Sequence, residues 1–108
     1  MVAAIGDRAE VYVDSGIRSG MDVLKMLALG AKACFIGRGY LYGLGADGEA
    51  GVTKALELIH KELSTAMALT GVTDLGKLPP DLLLPPQQPL GGTNAEGEDG
   101  SLLSRIRA

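Results

Sequence analysis

Val11-Tyr12-Val13-Asp14-Ser15-Gly16-Ile17-Arg18, followed one helix-length later by Ala33-Cys34-Phe35-Ile36-Gly37-Arg38, decides the fold. Each stretch is an apolar run that ends in glycine and arginine. The runs read as strands at about residues 10–13 and 33–36, the second almost wholly apolar, as expected of a parallel strand covered on both faces. Between them Ser19 can cap a helix with Asp22 three positions on as its acidic partner. That helix buries Val23, Leu24, Leu27 and Ala28 and stops at Gly30. Strand, helix and strand in this order make a βαβ unit with a right-handed crossover.

Both glycine-arginine turns therefore sit at the carboxyl ends of parallel strands, where such sheets place ligands. In a (β/α)8 barrel the loops after the seventh and eighth strands are the usual phosphate site. Glycine lets the backbone approach a phosphate, free N–H groups point at it, and arginine offers a bidentate charged fork. The helix that follows each turn adds the positive end of its dipole. The two turns together predict a phosphate-binding lip.

Upstream, Met1 to about Gly6 reads as the end of a helical element, and Gly6-Asp7-Arg8 as a turn. Downstream, Gly39-Tyr40-Leu41-Tyr42-Gly43-Leu44 reads as a short helical turn packed by Tyr40 and Tyr42. The longest element follows, from about Glu49 to Thr70. Val52, Ala55, Leu56, Ile59, Leu63, Ala66 and Met67 recur there at three- and four-residue steps and give one packed face. Gly71 ends it. From residue 79 the composition changes: Pro79-Pro80, Pro85-Pro86, Pro89 and the glycine-acid run 91–100 forbid regular structure and bury nothing. The expected organisation is an ordered part over residues 1–78 and a disordered tail over 79–108.

The 108 residues allow one domain at most. A net charge of −3 and ten scattered Lys and Arg argue against nucleic acid or an anionic membrane, and leave a small anion held by one or two arginines. No apolar run approaches the roughly 20 residues that span a bilayer. The first residues are too short and lack the basic start of a signal peptide, so the expected location is the cytoplasm. Cys34 is the only cysteine, which rules out an internal disulfide and a thiolate metal cluster. It reads as an inert core thiol.

The stretch Val11 to Lys25, with Ala28-Leu29-Gly30-Ala31 and Ile36-Gly37-Arg38-Gly39-Tyr40-Leu41-Tyr42-Gly43-Leu44, closely resembles the last strands of the FMN-dependent α-hydroxy acid dehydrogenases and oxidases. Gly48-Glu49-Ala50-Gly51-Val52 through Lys61-Glu62-Leu63 and Met67-Ala68-Leu69-Thr70-Gly71 looks like the family's final helix, nearest to the L-lactate dehydrogenase branch. The resemblance runs from about residue 2 to residue 78. It implies an α/β fold, the carboxyl-terminal quarter of a (β/α)8 barrel that holds FMN at the ends of its strands. The family oxidises 2-hydroxy acids and passes the electrons to a quinone, a cytochrome or oxygen. Carried over, Asp14, Ser15, Gly16, Ile17 and Arg18 wrap the FMN phosphate, and Gly37 and Arg38 complete the site.

The family's catalytic histidine lies before these strands, with a substrate-carboxylate arginine three positions later, and this chain has no such pair. Its one histidine, His60, lies mid-helix before Lys61-Glu62-Leu63 and reads as a solvated helix residue. No catalytic residue is assigned. The resemblance implies an FMN-binding carboxyl-terminal segment inactive on its own, either a fragment or one chain of a split enzyme completed by an upstream chain; an autonomous flavin- or phosphate-binding module and a non-functional remnant are the alternatives. Unpaired strand edges favour homo-association.

Asp14 reads equally as a turn-stabilising carboxylate and as a ligand contact. Gly37-Arg38-Gly39 imitates a dinucleotide fingerprint, but Tyr42 stands where the third glycine belongs. Asp47 and Glu49 favour a helix start over paired-carboxylate chemistry. Limited proteolysis is expected to remove the residues beyond about Leu84 without changing the helix content of the rest; a protected tail would move the boundary.

Overall fold

A computed structural model describes residues 1–84, so most of the expected tail lies outside the described residues. The elements run α1 (Val2–Ile5), a 3-10 turn (Gly6–Arg8), β1 (Tyr12–Val13), α2 (Gly20–Ala28), β2 (Ala33–Cys34) and α3 (Arg38–Thr70). β1 and β2 pair in parallel with Tyr12 opposite Ala33 and Val13 opposite Cys34. Lys32 N–H to Val11 O and Phe35 N–H to Val13 O, both 2.8 Å, extend the pairing by one bond at each end. The strands are thus shorter than the apolar runs that form them. A ladder persists only where a neighbour returns its hydrogen bonds, and here each strand has one neighbour.

The expectation that the second strand is covered on both faces does not hold. Phe35 is 56% exposed and Tyr12 is 53% exposed, and the two rings meet edge to face with centroids 6.1 Å apart. α2 packs on the opposite side, toward which Val13 and Cys34 are half-buried. This desolvation pushes the Cys34 thiol up from its ordinary value and disfavours the thiolate. Tyr12 donates its hydroxyl to Glu10, and that bond raises the phenol pKa.

α2 begins as its sequence predicts. The Ser19 hydroxyl accepts the Asp22 N–H at 3.1 Å, and the Asp22 carboxylate accepts the Ser19 N–H at 3.1 Å, a complete capping box. It ends on Gly30 at φ 99°, with Gly30 N–H on Leu27 O and Ala31 N–H on Met26 O. Of the four expected core residues only Leu24 is buried; Val23, Leu27 and Ala28 are half-buried, because a two-stranded sheet is too narrow to cover them.

α3 differs most from expectation. The expected turn after Gly37-Arg38 is a full helical stretch, 38–46, which meets a second stretch, 49–70, at a kink. Asp47 (φ −154°, ψ 37°) and Gly48 (φ 53°, ψ −135°) leave the helical region there. The stretches touch through glycines: a Cβ on Gly51 would lie 1.9 Å from Gly43 O, and one on Gly43 would lie 2.4 Å from Gly51 O. With the glycines at the contact, Tyr40 and Tyr42 are exposed and do not pack it. On the 49–70 stretch Ala66 is buried and Val52, Ala55, Ile59, Leu63 and Met67 are half-buried, whereas Leu56 turns outward. Gly71 closes the helix at φ 72°, and the buried Val72 donates to Met67 O at 2.9 Å.

Ile17, Leu24, Ala31, Ala66 and Val72 form the buried core of the described residues, between α2, the strands and α3. Gly51→Ala is expected to lower the stability of the chain by about 1–3 kcal/mol by forcing the two helical stretches apart. Gly45→Ala, whose Cβ meets nothing within 4 Å, is expected to raise it by about 0.5–1 kcal/mol through helix propensity. Urea unfolding followed by circular dichroism checks the pair; equal effects would remove the close approach.

Candidate functional site: a cavity at the carboxyl ends of the strands

All seven residues singled out from the sequence meet around one cavity. It measures about 260 Å³ and is lined by Asp14, Ser15, Gly16, Ile17 and Arg18 from the β1–α2 turn, with Phe35, Gly37, Arg38, Gly39 and Leu41 from the β2–α3 turn. Phe35, Gly39 and Leu41 were not singled out. Gly39 was legible as the second glycine of Gly37-Arg38-Gly39; Phe35 and Leu41 enter only because the two turns face each other. A larger concavity of about 420 Å³ lies between α2 and α3, but its walls are mainly apolar.

The first turn carries two successive left-handed residues, Ser15 at φ 84° and Gly16 at φ 78°. Glycine adopts this freely; serine does so at a cost of order 1–3 kcal/mol, which is met when the surroundings fix the turn. Asp14 helps fix it, because its Oδ1 accepts the Ser15 N–H at 2.7 Å. Ile17 is buried, so it faces the cavity through its backbone while its side chain enters the core. Arg18 and Arg38 are both exposed, one on each lip.

The donors divide unequally between the lips. At the start of α2 the N–H groups of Arg18 and Ser19 both go to Asp22 Oδ2, at 3.2 and 3.1 Å, and that of Gly20 goes to Glu62 Oε2 at 2.9 Å. At the start of α3 there is no side-chain cap. Among the described residues the N–H groups of Gly16, Ile17, Gly37, Arg38 and Gly39 have no protein acceptor. Free backbone donors, an uncapped helix start and two guanidinium groups are the donor set that a phosphate monoester requires. The cavity fits such a group by its chemistry. His60 is exposed on α3 and does not line it.

Residues 1–85 match the FMN-dependent dehydrogenase family, and the chain belongs to that family. It is 59% identical over 75 residues to an L-lactate dehydrogenase of Caulobacter vibrioides (strain NA1000 / CB15N), covering 69% of this chain and 20% of that protein. It is 47% identical over 83 residues to 2-hydroxyacid oxidase 2 of Mus musculus, covering 77% of this chain and 24% of that one. Among solved structures it is similar to a mandelate oxidase variant with a monooxide FMN adduct, at TM-score 0.66 and 49% identity over 69% of this chain and 24% of that one. An active mutant of (S)-mandelate dehydrogenase matches at TM-score 0.70 and 44% identity over 75% of this chain and 22% of the other. The chain thus spans a fifth to a quarter of the length of the curated relatives it matches. Among the described residues no helix is long and apolar enough to cross a membrane.

The Asp22 carboxyl is held below the ordinary aspartate range, first by its bond with the Ser19 side chain and then by the Arg18 N–H. A depressed folded-state pKa means that Asp22 stabilises the fold above the ordinary aspartate pKa and loses that contribution as pH falls through its lower, folded value. Asp22→Asn is therefore expected to shallow the acid limb of a stability-against-pH curve. Ser19→Ala is expected to cost about 1 kcal/mol at neutral pH. Urea midpoints from pH 7 down to pH 3 measure both, and an unchanged acid limb in Asp22→Asn would remove Asp22 from the account.

Proposed function

We propose that this chain supplies the FMN phosphate site of an FMN-dependent 2-hydroxy acid dehydrogenase or oxidase, as the carboxyl-terminal part of its (β/α)8 barrel. The observation that carries the reading is the meeting of Asp14, Ser15, Gly16, Ile17, Arg18, Gly37 and Arg38 around one cavity whose backbone donors lack protein acceptors. The names of the relatives support the flavin and the substrate class.

In this reading Gly16, Ile17, Gly37, Arg38 and Gly39 give backbone N–H groups to the phosphate. Arg18 and Arg38 give charge from opposite lips, and Asp14 acts through the Ser15 turn that it holds. FMN, when bound, supplies the electron acceptor for oxidation of the 2-hydroxy acid. The chain's own residues bind and orient the phosphate end, and the single histidine does not line the cavity. The exposed Tyr12 and Phe35 face and the unpaired strand edges are where the remaining strands of a barrel would join, from an upstream chain. Without them the chain is expected to self-associate.

FMN should bind the purified chain weakly and less well as salt rises, with Arg38→Ala costing up to about tenfold in affinity at so open a lip. Titration calorimetry with FMN and with inorganic phosphate measures this. With L-lactate, FMN and an artificial electron acceptor, the chain should turn over no faster than free flavin, because no base is positioned at the substrate. Absent phosphate affinity, or lactate-dependent reduction that disappears in Arg38→Ala, would overturn the respective half of the proposal.

A further inference from the structure

We propose that Glu62 is a positioning residue for the phosphate cavity: its carboxylate clamps the start of α2, and with it the 14–18 turn, onto α3. The inference rests on the phosphate reading above. Glu62 Oε2 accepts the Gly20 N–H at 2.9 Å across 42 positions of chain. Every other side-chain hydrogen bond of the described residues joins positions four or fewer apart. The link from Glu62 to Gly20 is therefore the one side-chain hydrogen bond that ties two distant elements together. Glu62 is not engaged elsewhere, because the ion pair found among the described residues joins Lys54 to Glu57.

The backbone gives this bond its leverage. Gly20 is buried against α3 so closely that a Cβ there would lie 2.0 Å from Leu63 N and 2.5 Å from Ile59 O. The two helices touch backbone to backbone at the point where the carboxylate reaches across. Arg18 is two residues from Gly20, a span of at most about 7 Å, so holding Gly20 limits how far the turn can shift. The facing lip, Gly37 to Gly39, begins the 38–46 stretch of α3, which the Gly43–Gly51 contact seats on the 49–70 stretch that carries Glu62. The bond thus fixes the two lips relative to each other.

The test compares FMN, riboflavin and inorganic phosphate binding to the full chain and to three variants, alongside hydrogen exchange of the Gly20 amide. Glu62→Ala is expected to weaken FMN and phosphate binding roughly tenfold, as loss of a charge-assisted bond transmits. Riboflavin, which lacks the phosphate, should be unaffected, and the Gly20 amide should exchange faster. Glu62→Gln keeps an acceptor of the same reach and should restore FMN affinity to within about twofold. Glu62→Asp is one methylene too short and should behave as Glu62→Ala, giving the same reading if the alanine variant fails to fold. Unchanged phosphate affinity in the alanine and aspartate variants, or an equal loss of riboflavin and FMN, overturns the inference alone. No phosphate affinity in the unsubstituted chain removes the cavity reading and the inference with it.

Discussion

The contact of Gly20 with the backbone of α3 is the constraint on which the rest of this structure depends. No other residue type fits there, since the nearest atoms to an added Cβ are main-chain atoms of Leu63, Ile59 and Glu62 that have no freedom to retreat. With the first residue of α2 seated on α3 at Ile59 to Leu63, the turn leading into α2 faces the turn that begins α3 across the cavity. The glycine pair Gly43 and Gly51 acts in the same manner across the kink, folding 38–46 against 49–70. Two backbone approaches, each made possible by a missing side chain, thus set where the two glycine-arginine turns lie.

The electrostatics follow from that placement. Two helices begin beside the same cavity, and each start carries unsatisfied N–H groups and a partial positive charge. One is answered by Asp22, Ser19 and Glu62; the other by nothing in the described protein. Carboxylates answer the first start and open donors remain at the second, so the cavity has a direction. The left-handed Ser15 belongs to the same logic: it turns the backbone so that the N–H groups of Gly16 and Ile17 are left without protein partners.

The buried core is small, and the sheet keeps one face exposed with Tyr12 and Phe35 on it. Membership of the FMN-dependent dehydrogenase family, over a fifth to a quarter of the relatives' length, accompanies that exposure. Two strands bury apolar surface only on the side their crossover helix covers, which is why the second strand's apolar composition overstated its burial.

The sequence alone determined what depends on neighbours along the chain. The capping box at Ser19 and Asp22 and the left-handed glycines that close α2 and α3 are local matters, decided by hydrogen bonds three to five residues apart. Of the seven residues of the candidate site, the glycines and arginines were legible from their place at the strands' ends, and Asp14, Ser15 and Ile17 came with the family resemblance. The length of the helix after Arg38, the outward Tyr40 and Tyr42, the half-burial of Val23, Leu27 and Ala28, and the reach of Glu62 to Gly20 were not legible. Each depends on a surface contributed from far along the chain, and periodicity within one segment carries no record of what packs against it. Only the tertiary structure decided them, because the close approach of two backbones is a property of the pair and belongs to neither sequence by itself.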